Sequence, residues 1–224
     1  MKSIIFFFLH WILLVSLCFS TVFKSNFSTT SVDEELRTRV VANTNLNLTD
    51  KPVTSTIECF DVNEDGLIAL GHTGATQGVI SIYSTDGTFK YGYEFDCSGA
   101  FGVEWDKDVL NIYFVRGSLL VSVASSGEIT SVLRVEDTIE NNSYYNNFIR
   151  ATNRNVNNMD YEMRNKFLSS YSQLVITDDL GKEMVLYSAE NSQLTQNVIV
   201  SLVAIVFIAI GITVIVSQFR RSKQ

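Results

Sequence analysis

Residues 191 to 219 contain no Asp, Glu, Lys or Arg, and the stretch from Val198 to Val216 within them is almost wholly apolar. No other feature constrains the chain as strongly. A helix of about 20 apolar residues covers the ~30 Å of bilayer hydrocarbon, and a buried helix of a soluble core rarely runs so long without a polar stripe. Arg220, Arg221 and Lys223 follow at once, the flank expected on the cytoplasmic side. The pattern predicts a transmembrane helix over residues 197–218, a cytoplasmic tail over 219–224, and a cell-membrane location with the preceding chain outside.

At the other end, Lys2 precedes an uncharged run from Ser3 to Phe23. The basic start and apolar centre suit a signal peptide, while the length suits an uncleaved N-terminal transmembrane helix, so residues 1–23 are one or the other. Either way the middle of the chain is extracytoplasmic. All 24 acidic residues lie there with 13 of the 17 basic ones, a net charge of −11. Such a surface repels nucleic acid.

Residues 24–55 are rich in Ser, Thr and Asn and show no sustained hydrophobic period, which reads as a stalk or linker. From 56 to 190 the pattern is that of an extracytoplasmic β-rich domain. Phe89, Tyr91, Tyr93 and Phe95 alternate with Lys90, Gly92 and Glu94, the period of a strand with one buried face. Val79–Tyr83 precedes it, with Thr85-Asp86-Gly87 between, a strong hairpin signal because Gly supplies the positive φ that the turn needs. Residues 119–123 and 128–135 around Ser125-Ser126-Gly127 predict a second hairpin, and 172–177 and 182–187 around Asp178-Asp179-Leu180-Gly181 a third.

Residues 59–71 and 101–114 share a strand, acidic turn, strand pattern. Gly87 and Gly127 lie 40 residues apart, and Gly127 and Gly181 lie 54 apart. The longer interval holds an Asn-rich insertion, Glu140 to Asn158. There 151–156 and 159–165 can form another hairpin about Asn157-Asn158, or FIRATNRN (148–155) is instead a short helix or loop.

A unit of about 40 residues with four short strands has the length of a propeller blade. The segments NEDGLIAL, GVISIYSTDGTFKYGYEF, KDVLNIYF and LLVSVASSGEITSVLRV resemble the blades of NHL-type and SMP-30-type β-propellers. YGYEFDCSG, GVEWD and YEMRN are similar to segments of uncharacterised bacterial membrane-anchored proteins. The resemblance covers roughly residues 57–190 and implies a mainly β fold. That fold is a meander of about three blade-like antiparallel units, an open or incomplete propeller flanked by N-terminal and C-terminal transmembrane helices. Closed propellers use about four to eight blades, so the edges would need completion by oligomerisation or by another partner.

Candidate sites are few. Asp61, Asn63 and Asp65, followed by Gly66, match the opening of a calcium loop, in which alternating side chains bring oxygens to one centre. The ninth and twelfth positions are Ala69 and His72, poor ligands, so an Asx-rich turn is the preferred reading and calcium the alternative. Asp61 and Glu104 hold matching places in the two strand–turn–strand units and could meet as an acid/base pair. The Gly-containing stretch with His72, Thr73, Thr76 and Gln77 is a candidate binding loop. Trp105 and the aromatic row read as core before sugar platform. Cys59 and Cys97 are either a disulfide or buried thiols, and Asn26, Asn47 and Asn141 each begin an N-x-S/T triplet.

The expectation is a membrane-anchored module that binds a protein, peptide or glycan at the cell surface, with no cofactor required. A structural subunit completing a sheet in a homo-oligomer comes second. A metal-assisted hydrolase using acidic residues at a sheet end comes third, since no nucleophile–base arrangement is spelled out.

Overall fold

The computed structural model describes residues 25–74 and 76–221, with side chains as far as 212. The signal or membrane helix expected over 1–23 lies outside the described residues, as does the end of the tail.

The expected hairpins assemble into three antiparallel sheets. The first is a meander of β3 (Cys59–Val62), β4 (Ile68–Thr73), β5 (Gln77–Tyr83) and β6 (Phe89–Asp96). The second is β7 (Phe101–Asp106), β8 (Val109–Phe114), β9 (Leu119–Val123) and β10 (Ile129–Val135). The third is β11 (Asn153–Val156), β12 (Met159–Phe167), β13 (Ser170–Thr177) and β14 (Glu183–Ser188). Gly87 and Gly127 sit in the β5–β6 and β9–β10 turns at φ +82° and +84°, where an L side chain is strained. The β11–β12 turn uses Asn157 and Asn158 at φ +54° and +60°. That settles the hairpin for this part of the insertion, because Asn is the non-glycine residue that best tolerates the left-handed region.

The segment expected to be a stalk is instead woven into two of the sheets. β1 (Thr29–Ser31) adds a fifth strand beside β10, and β2 (Asn47–Thr49) adds one beside β6. Between them runs α1 (Glu34–Thr44). Asp33 caps its start by accepting the Leu36 N–H, Glu34 and Glu35 complement the helix dipole, and Asn45 ends it in the left-handed conformation. Short strands of Thr, Ser and Asn carry no hydrophobic period of their own; the edges of β6 and β10 impose the extended shape.

Two cores lie on opposite faces of the first sheet. Ala69, Ile80, Ile82, Tyr93 and Phe95 pack against Val103, Leu110, Ile112 and Val121 of the second sheet. Phe60, Ile68, Leu70 and Tyr83 pack against Tyr161, Met163, Leu174 and Ile176 of the third. The first sheet is thus the middle layer, which is why its strands read as near-continuous apolar runs. A register shift between Ile82 and Tyr83 pairs Tyr83 with Phe89. The extra residue turns Phe89 into the second core, while Tyr91, Tyr93 and Phe95 stay with the first. The aromatic row therefore serves two cores and not the single face that its alternation predicts. The outer face of the second sheet is covered by α2 (Ile139–Tyr144) and a wide helical turn, Tyr145–Ile149, through Leu120, Ile149 and Phe27.

One polar knot joins the three sheets. The Asp61 carboxylate on β3 accepts the Trp105 N–H of β7 at 2.7 Å and the Arg154 Nε–H of β11 at 2.9 Å. Arg154 also donates to the carbonyls of Phe148 (2.7 Å) and Asn153 (2.9 Å). Its guanidinium lies over the Phe148 ring, 4.4 Å from the centroid, with Phe60 at 5.3 Å. Burial pushes the Asp61 carboxyl up, and the Trp105 N–H and Arg154 pull it back. Removing one partner of a buried pair leaves the other charge uncompensated, at a cost of about 3–5 kcal/mol. Arg154→Met should lower unfolding stability by about that amount, and the double variant Asp61→Leu/Arg154→Met should recover much of it. Denaturant midpoints of the full chain in detergent measure both.

Candidate binding cleft

α1 lies beside β6 and β10. Val40 packs toward the first core, and beside it opens a cleft of about 640 Å³. One wall is the helix face with Arg39, Asn43 and Thr44. The opposite wall is the Asp96–Ala100 segment that carries the chain from the first sheet to the second, together with Thr76. The floor and far end come from Phe114 and Leu119 of β8 and β9 and from Arg116, in the 3-10 turn Val115–Gly117. Arg116 Nη1 donates to the carbonyl and the hydroxyl of Ser98 at 3.3 and 3.4 Å, which ties the two strand connections together.

Of the expected binding-loop residues, only Thr76 reaches this cleft. His72 is buried on β4 with Nδ1 3.1 Å from the Thr56 carbonyl and its ring 5.5 Å from that of Tyr187. Thr73 and Gln77 are exposed at the strand ends, where Gln77 pairs with Asp96 across the ladder. Strand alternation separates them: His72 and Thr73 are neighbours in sequence and so face opposite ways.

The calcium-loop residues also go separate ways. Asp61 is held in the knot. Asn63 accepts the Leu67 N–H at 2.7 Å, which closes the turn between β3 and β4 with its side chain, and donates to the Lys107 carbonyl at 3.2 Å, while Asp65 is exposed. Among the described residues no group of three or more His, Cys, Asp or Glu is placed to hold a metal ion.

Asp61 and Glu104 do come close, on adjacent strands β3 and β7, and Asp61 adds to the upward push that burial gives the Glu104 carboxyl. Glu104 accepts the Tyr144 hydroxyl at 2.7 Å and the Ser25 hydroxyl at 3.0 Å. Both carboxylates are buried and bonded within the domain, so the pair fastens the N-terminal segment and the insertion to the sheets. Asn141 acts likewise. It is buried, accepts the Ser28 N–H at 2.8 Å and donates to the carbonyls of Ser28 and Glu136, which leaves its amide inaccessible to glycosylation in the folded chain.

Cys59 and Cys97 are free thiols and not a disulfide. Cys59 is packed among the first core's side chains, whereas the Cys97 Sγ–H donates to the Gly99 carbonyl at 3.1 Å. Burial pushes both thiols up. Trp105 is half-buried beside the core.

Sequence reasoning missed Arg39, Arg116 and Arg154. Arg39 lay in the supposed stalk, though Asp33, Glu34-Glu35 and Asn45 do spell a helix start and stop. Arg154 finds Asp61 across 93 residues, a partnership that no local pattern announces. Comparison with family models, curated proteins and solved structures finds no match to this chain.

Burial lowers the His72 pKa to about 4 from 6.5. Because the folded state disfavours the imidazolium, the unfolded chain binds the extra proton first as pH falls below 6.5. Stability from this group is complete above 6.5 and lost down to about 4, on the order of 3 kcal/mol over that window. The raised carboxyls of Asp61 and Glu104 act in the opposite sense, so the comparison with His72→Leu isolates the imidazole. The melting temperature of the wild-type chain should fall more steeply between pH 7 and pH 4 than that of the variant.

Proposed function

We propose that this chain is a membrane-anchored binding module whose sheet domain stands at the extracytoplasmic surface and offers the cleft beside α1 to a protein, peptide or glycan. The observation that carries this reading is the final helix, α3 (Glu190–Arg221). Over Glu190–Ile212 it is long and apolar enough to cross a membrane, and its most apolar window has none of its residues buried against the domain. An apolar surface of that extent needs a cover, and a bilayer is the cover that matches its length.

β14 ends at Ser188 and α3 begins at Glu190, with Ala189 buried and the Gln193 amide donating to the Asn165 carbonyl at 2.7 Å. The domain is therefore continuous with its anchor through the polar first turns of α3, residues 190–197, with no flexible linker between them. In this reading the three sheets are blade-like units of an incomplete propeller. Their acidic surface keeps the module soluble, and the cleft supplies its recognition face.

A second reading, assembly through a sheet edge, has one specific support. The first and second sheets gain a fifth strand from the N-terminal segment, but β14 stands at the edge of the third with Met184 and Val185 43% and 53% exposed. Unpaired edges invite another strand.

Photoreactive side chains at two positions of the full chain in its native membrane distinguish the readings. A module that binds through the cleft gives a discrete heterologous cross-link from position Asn43. Edge assembly gives a cross-linked dimer of this chain from position Val185. No partner from either position would sink both.

A further inference from the structure

The lining of the cleft beside α1 runs against the charge of the domain that holds it. The extracytoplasmic region carries an excess of 11 negative charges, yet the cleft brings together Arg39 and Arg116 against the single carboxylate of Asp96. Neither guanidinium takes part in the ion pairs among the described residues, which engage Arg37, Arg154 and Arg164. Arg116 bonds only the neutral carbonyl and hydroxyl of Ser98. Both arginines are exposed. In a domain with carboxylates to spare, two arginines left facing one cleft without a carboxylate partner are free to receive one from outside.

We propose that this cleft takes an acidic peptide segment of a partner protein. The inference rests on the binding-module reading and gives it a ligand class. The planar guanidinium matches a carboxylate with two parallel N–H···O bonds, a fit that an ammonium does not offer. Beside the arginines, Val40, Phe114 and Leu119 are half-buried against the first core and present an apolar shelf for an adjoining side chain. The volume of about 640 Å³ falls within the range of small-ligand sites and suits a few residues of peptide. Phe114 is the one aromatic ring among the lining residues, so the paired rings on which sugars stack are missing, and this favours a peptide over a glycan. Asp96 at the wall sets the register, repelling a carboxylate placed away from the two arginines.

Calorimetric titration of the full chain in lipid nanodiscs tests this, with the blocked peptide acetyl-Glu-Leu-Glu-Leu-amide as probe. The glutamine analogue and a sulfated tetrasaccharide serve as controls. The acidic peptide should bind saturably and roughly tenfold tighter than its glutamine analogue, with binding weakened by salt. Arg39→Ala and Arg116→Ala should each remove most of that preference, while Lys90→Ala leaves it intact and all three variants keep the wild-type melting temperature. Equal affinity for both peptides, wild-type binding by the arginine variants, tighter binding of the tetrasaccharide, or no binding would overturn it. A heterologous cross-link from position Asn43 combined with any of those results keeps the module reading and rejects the acidic peptide alone.

Discussion

The Asp61–Arg154 pair is the interaction on which the rest of the structure depends. Three sheets with separate hairpins can each form locally, but nothing in a hairpin dictates how it stacks on its neighbours. Asp61 on β3 receives a backbone N–H from β7 and a guanidinium from β11, so one carboxylate records the relative position of all three sheets. Both side chains are only 6% exposed. At that burial an ion pair gains little net stability over apolar residues of similar size, whereas a mismatched stacking would strand a charge away from water. The pair therefore acts chiefly by penalising wrong arrangements. The Phe60 and Phe148 rings on the guanidinium, and the carbonyls that receive its other N–H groups, complete that restraint.

The same logic explains the N-terminal segment. Its polar strands could not fold alone, yet β1 and β2 close two sheet edges, and Ser25 and Ser28 bond Glu104 and Asn141. This segment protects edges that an open, three-sheet stack would otherwise expose, and it leaves α1 suspended between them as one wall of the cleft. The third sheet has no such cover; its last strand runs almost directly into α3. Edge protection, cleft formation and the proposed anchoring thus follow from where the two ends of the domain are used.

Much of the sheet architecture was legible because its signals are local. Asp86-Gly87 and Ser126-Gly127 mark turns by the positive φ that glycine alone adopts cheaply, and the flanking alternation gives strands with few alternatives. The Asn-rich insertion was ambiguous because Asn157-Asn158 suits a hairpin or a loop equally until β12 finds β13. The stalk was misread because β1 and β2 owe their shape to neighbours distant in sequence. The orientation of Phe89 depended on a bulge, and one inserted residue reverses a face without altering the visible pattern. Of the candidate sites, Asp61 and Glu104 were singled out for chemistry and hold internal bonds, and of the expected binding loop Thr76 alone reached the cleft. The arginines of the cleft had no motif to betray them, since what sets them apart is the lack of an ion-pair partner among the described residues of a domain rich in acid.

The proposed function rests on the relation of the domain to the bilayer. The apolar helix is rooted in the third sheet by Gln193, so in the proposed reading that end of the domain faces lipid. The central claim is that the sheets stand outside and the helix spans. Labelling of sealed, right-side-out vesicles with a membrane-impermeant maleimide tests it most directly in a Cys18→Ser background, because the other two cysteines, Cys59 and Cys97, are buried and give little signal. A cysteine placed by Ser126→Cys in the exposed β9–β10 turn should react in intact vesicles. One placed by Lys223→Cys should react only after lysis. Labelling of the first position only after lysis, or recovery of the chain in the soluble fraction, would contradict the account.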